Sequence, residues 1–82
     1  MLIRMEQEHI DHGLRGECSS CPVALVLTDY RFTDVAVSGD GFTYGPKQDF
    51  VALPEVVNDW INEFDWHGTG SPISFEIDAV PA

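Results

Sequence analysis

Residues 16–27 read Gly16-Glu17-Cys18-Ser19-Ser20-Cys21-Pro22-Val23-Ala24-Leu25-Val26-Leu27, and the fold turns on how they are read. The stretch passes from a polar loop into the most apolar run of the chain. Pro22 suits the first position of a helix, where its missing N–H costs nothing. The pattern predicts a helix from Pro22 to about Tyr30. Val23 to Leu27 are apolar all round, so this helix is expected to be buried on most sides. So short a run also fits a buried strand; Pro22 and Ala24 favour the helix.

Upstream, residues 1–6 alternate as a strand. Glu8 to His12 form one helical turn, which Gly13 stops. Residues 13–20 read as a loop. Downstream, Asp34 to Ser38 are rich in strand formers. Gly39-Asp40-Gly41 is a hairpin signal that returns the chain into Phe42-Thr43-Tyr44. After a turn at Gly45-Pro46, Asp49 to Leu53 read as a third short strand. Pro54 opens a second helix, to about Trp66. Val56, Val57, Trp60, Ile61 and Phe64 recur in it at helical spacing, as one apolar stripe. Gly68 and Gly70 close it. In residues 72–78, Ile73, Phe75 and Ile77 alternate with Ser74, Glu76 and Asp78, a period of two. No βαβα alternation runs through the chain. The expected class is α+β, a single small acidic domain over residues 1–82. It has a small antiparallel or mixed sheet of four to five strands, with two main helices packed on one face.

The chain has 82 residues, with 14 Asp and Glu against four Lys and Arg, a net charge of −10. A chain this short buries only about 60–65% of its unfolded surface, so its stability margin is narrow. Homodimerisation or a bound ion would widen that margin. The apolar fraction of 44%, with five Phe, two Tyr and two Trp, is ample for a core and argues against disorder. With no basic patch to release counterions, direct nucleic-acid binding is disfavoured. The same charge repels anionic lipid and favours a basic protein surface or a cation. Residues 1–6 contain no long apolar segment of the signal-peptide kind, and no run is long enough to span a membrane. Two cysteines do not make a secreted disulfide framework, so the expected compartment is the cytoplasm.

Four groups of residues could carry chemistry. His9, His12, Cys18 and Cys21 supply four zinc-type ligands within 13 residues, with the knuckle spacing Cys-x2-Cys. Their order, with five residues between His12 and Cys18, fits no common zinc module. The plainer role is two small cysteines and two exposed histidines. The same cysteines at a helix start suggest thiol redox chemistry. The acidic surroundings, Glu17 among them, oppose it by raising a thiol pKa. Glu55, Asp59 and Glu63 fall at i, i+4 and i+8 with no Lys or Arg in the helix. The row is either a solvated face or a docking face for a basic partner. Trp66, beside the stripe's end, is a candidate anchor for such a partner if exposed; the plainer role is a ring folded over the core edge. Trp66-His67-Gly68-Thr69-Gly70 follows a helix instead of opening one and lacks Lys, so it is no phosphate loop.

The pattern Glu8-His9-Ile10-x2-Gly13-x-Arg15-x2-Cys18-x2-Cys21-Pro22-Val23-Ala24-Leu25 spans the first third of the chain. With Leu53-Pro54 before an aromatic helix and a terminal Pro72-x-Ser74-Phe75 strand, it resembles a group of small uncharacterised proteins of actinobacteria and their phages. The resemblance covers nearly the whole chain, and Cys21-Pro22-Val23-Ala24-Leu25 is its most specific part. It implies a small cytoplasmic accessory protein, plausibly phage-encoded, and no site residues carry over. By analogy with small acidic phage proteins, it suggests an inhibitor of host or defence machinery, in some cases a nucleic-acid mimic. Arg15, one of four basic residues, is expected to tie a carboxylate or loop carbonyls in place. Its functional alternative is to hold a small anion such as a nucleotide at the start of the Pro22 helix.

The first expectation is thus a non-enzymatic protein that binds a basic host-protein surface through Glu55, Asp59, Glu63 and Trp66. The alternatives are a zinc- or thiol-dependent module and a nucleotide-sequestering protein using Arg15.

Overall fold

The computed structural model describes residues 1–81. In chain order these form β1 (Leu2–Arg4), α1 (Gln7–His12), α2 (Pro22–Asp29), β2 (Ala36–Val37), β3 (Gly41–Tyr44), β4 (Asp49–Ala52), α3 (Glu55–His67) and β5 (Ser74–Glu76). The class is α+β, as the apolar periods imply.

Pro22 stands at the first position of α2, with Cys21 as its N-cap. Pro22, Val23, Ala24, Val26 and Leu27 are all buried. A helix apolar on every side must be surrounded, and α2 contacts both β1 and β2. These two strands belong to different sheets. β1 pairs only with β5, antiparallel, with Ile3 opposite Phe75. β2, β3 and β4 form a separate antiparallel sheet in that order. The expected single sheet of four to five strands is therefore two sheets, of two and three strands. The two sheets meet at α2, which contacts a strand of each, β1 and β2.

The core follows from these faces. Ile3 and Phe75 enter it from the first sheet, and Val37 and Phe42 from the second. Phe32 meets Phe42 and Tyr44 edge-on, with ring centroids 5.5 and 4.9 Å apart. Edge-to-face geometry is the favoured aromatic arrangement. From α3, Val57 and Phe64 are buried, and Trp60 stacks on Phe64 at 5.3 Å. Trp60 Nε1 also donates to Ser71 O at 2.8 Å, which holds the segment leading to β5. Val56 departs from the expected stripe and is 62% exposed. At about 100° per residue the stripe centres on Val57, Ile61 and Phe64, and Val56 falls on the other side.

No helix among the described residues is long and apolar enough to cross a membrane.

Candidate functional site

α3 carries its acids on the face turned away from the core. Glu55, Asp59 and Glu63 are all exposed. Four residues of helix advance about 6 Å, so the three carboxylates form an evenly spaced row along the axis. Val56 and Trp66 lie on the same face, and Trp66 is 78% exposed. The acids are not equivalent. Glu55 is in the first turn, where the helix dipole favours a negative charge. Glu63 is paired with His67 Nε2 at 3.2 Å, one turn on. The Asp59 carboxylate has no hydrogen-bond partner or ion pair among the described residues. Asp65 belongs elsewhere: its Oδ1 accepts the Gly16 N–H at 3.1 Å and serves the loop.

The C-terminal end of α3 is held by Arg15. Its Nε and Nη2 donate to Asp65 O at 3.1 and 3.0 Å, and Nη2 also donates to Trp66 O at 2.7 Å. The last carbonyls of a helix lack partners within it, and a guanidinium there also meets the negative end of the dipole. The stem of Arg15 lies against Gly68, the left-handed residue that ends the helix. Arg15 also lines an open groove of about 400 Å³ with Ile10, Leu14 and Phe64. The start of α2 is a different place. Pro22 and Cys21 are buried there, and the loop before them is closed by Leu14 N–H to Ser20 O at 2.9 Å.

The histidines and cysteines are not brought together into one site. His9 is 7% exposed and fully occupied. Its Nδ1 accepts the Glu6 N–H at 2.9 Å, so the proton is on Nε2, which donates to Asp29 Oδ2 at 2.6 Å. The Glu6 side chain in turn accepts the His9 N–H, which makes a capping box in which Glu and His play the parts of Ser and Glu. His12 Nδ1 donates to Glu8 O at 2.8 Å. Asp29 ends α2 and Cys21 caps its start, about 12 Å apart along the helix, and His9 is bonded at the Asp29 end. Cys18 is exposed and Cys21 buried, and both are free thiols. No group of three or more His, Cys, Asp or Glu among the described residues could hold a metal ion. The expected four-ligand arrangement is thus not assembled: His9 is held by Asp29 and His12 by the Glu8 carbonyl, while Cys18 is exposed and Cys21 buried.

Burial pushes the Cys21 thiol pKa up. The Ala24 and Val23 N–H groups, which favour the thiolate, offset this only in part, and the Asp65 charge adds to the rise. A thiol held protonated is a weak nucleophile.

Sequence reading missed the Glu6–His9 box, the His9–Asp29 bond and the outward position of Val56. Only the His67–Glu63 pair had a signal, the i, i+4 spacing. Compared with known proteins, the chain matches no family model, no curated protein and no solved structure.

Proposed function

We propose that the protein is a non-enzymatic interaction protein that docks on a basic protein surface through the outer face of α3. Trp66 carries this reading: a large aromatic 78% exposed on a capped helix, beside a row of acids with no Lys or Arg. A side chain of that size contributes little to the fold from such a position, whereas aromatic anchors dominate binding energy at interfaces. Glu55, Asp59 and Glu63 supply the charge that steers a basic partner and sets the register. In this role the protein is an accessory factor of the inhibitor type. The row stands in for the phosphates that a nucleic-acid-binding host protein recognises. The net charge of −10 and the analogy with small acidic phage proteins support that assignment.

The test is capture of partners from a lysate of the source cells at about 0.05 M and about 0.5 M salt, where screening lengths differ more than twofold. A partner retained only at low salt, and lost when Glu55, Asp59 and Glu63 are together changed to Gln, is the expected result. Retention by the triple variant with unchanged affinity would remove the acidic row from the function.

A further inference from the structure

We propose that Cys18 and Cys21 form a reversible dithiol–disulfide pair that exchanges with small disulfides, cationic in preference to anionic. The turn that joins them supplies the geometry. The Cys21 and Ser20 N–H groups both donate to Glu17 O, at 2.9 and 3.1 Å. Residues 17–21 thus make one turn of helix. Positions three apart on such a turn share a face, with Cβ atoms about 5–6 Å apart. A disulfide holds its Cβ atoms about 3.5–4.5 Å apart, so the ring closes with a small tightening of the turn.

The two thiols also open on one hollow. Cys18, Cys21, Val37, Gly39 and Ile61 line a cavity of about 160 Å³ between this turn, the β2–β3 turn and α3. The backbone of the turn is anchored on both sides. Val37 N–H donates to Cys18 O at 2.8 Å, and Leu14 N–H donates to Ser20 O at 2.9 Å. The two cysteines are therefore presented to each other by a segment that the rest of the fold holds in place.

Exposure divides the labour between them, since Cys18 is exposed and Cys21 buried. Cys18 loses its proton to water, and its thiolate attacks one sulfur of a disulfide R–S–S–R. A Cys18–S–S–R bond forms, the original S–S bond breaks, and the departing R–S⁻ takes a proton from water. Cys21 then loses its proton to water and attacks Cys18 Sγ. The Cys18–Cys21 bond forms, and the second R–S⁻ leaves and is protonated. Two protein thiols are oxidised and one external disulfide is reduced to two thiols. Burial keeps Cys21 protonated and slow toward reagents in solution. A sulfur already bonded to Cys18 is a different target, because a tethered reaction runs at an effective concentration far above any in solution.

Charge selects the disulfide. Glu17 and Asp65 line the same hollow, and no Lys or Arg does. With a net charge of −10 behind them, they repel an anionic disulfide and draw in a cationic one.

Mass spectrometry of the native, reduced chain treated with cationic cystamine or with anionic oxidised glutathione tests the pair. Wild type is expected to end lighter by two hydrogens, with no adduct, and dithiothreitol to restore it. Cys21→Ala stops at a stable mixed disulfide on Cys18. Cys18→Ala, its fold checked by circular dichroism, does not react. Relative to their rates with free cysteine, cystamine is faster than oxidised glutathione by at least about tenfold at about 0.05 M salt, and the gap narrows at about 0.5 M. A wild-type chain that stays unreacted, or that ends with adducts in place of the internal bond, overturns the pair. So does a Cys18→Ala variant that reacts as fast as wild type. Equal relative rates for the two reagents overturn the charge selection.

Discussion

Arg15 Nη2 donates to the carbonyl of Trp66 at 2.7 Å, across 51 positions of sequence. The loop before α2 thereby ends α3, the helix that presents the candidate docking face. Arg15→Ala leaves two carbonyls to water and removes a positive charge from the negative end of the helix. We expect a loss of about 1 kcal/mol, which for a domain of this size lowers Tm by roughly 4–8 °C. Arg15→Lys restores the charge without the planar fork, so it recovers only part of the loss. A thermal melt of both variants checks this, and an unchanged Tm in the alanine variant would show that the bonds contribute nothing.

Gly13 is held to glycine by contact. A Cβ there would stand 2.5 Å from Cδ and Cγ of Pro22. Pro22 is buried at the start of α2, so neither side can give way cheaply. Gly13→Ala should destabilise by about 1–3 kcal/mol, the usual range for overpacking. Gly39→Ala, where a Cβ meets nothing within 4 Å, is the control. Urea midpoints of the pair decide the matter; equal midpoints would contradict the tight approach.

These two residues show where sequence reading succeeds and where it stops. The α2 and α3 helices follow from Pro22, Pro54 and the apolar spacing, because helical periodicity is local. Arg15 reads as a residue that ties loop carbonyls, since a lone cation in an acidic loop needs acceptors. Which carbonyls depends on a contact 51 residues away, and no local pattern encodes it. The split into two sheets was hidden for the same reason. Alternation identifies Ile3 and Phe75 as inward residues of strands but says nothing of their being partners. The Glu6–His9 box escaped notice because its residue types differ from the usual Ser/Thr and Glu. At the candidate site, Glu55, Asp59 and Glu63 are surface positions by helical geometry alone, whereas Trp66, at the end of the stripe, reads as well as a ring folded over the core edge, and only the structure shows it exposed. Val56 was misplaced because it sits beside Val57 in sequence while pointing the other way.

The two cysteines should differ sharply in reactivity. Cys18 is exposed and should be alkylated by iodoacetamide in the native protein. Cys21 is buried with its pKa raised, and should react only as the chain opens. The raised value also carries a pH dependence. In the unfolded chain the thiol ionises near about pH 8.5. In the fold it keeps its proton to higher pH. Between the two values the native state binds more protons, so stability falls as pH rises; below that window the contribution is complete. Urea midpoints at neutral and alkaline pH should therefore decline more steeply in wild type than in Cys21→Ala. Identical slopes would show that Cys21 does not titrate differently on folding.

The acidic row on α3 should trade stability for binding. Glu55 and Asp59, and Asp59 and Glu63, are like charges one turn apart, and each such pair costs about 0.2–0.5 kcal/mol. Changing all three acids to Gln relieves both pairs. It also removes the favourable charge of Glu55 in the first turn and the Glu63 contact with His67, 3.2 Å away. Both are exposed and weak. The net expectation is a variant within about 0.5 kcal/mol of wild type, with any gain largest at low salt, where screening is least. Thermal melts across a salt series test this against the binding assay. Near-native stability with lost binding means that the carboxylates are kept for a partner. A large drop in stability would instead make the row part of the fold.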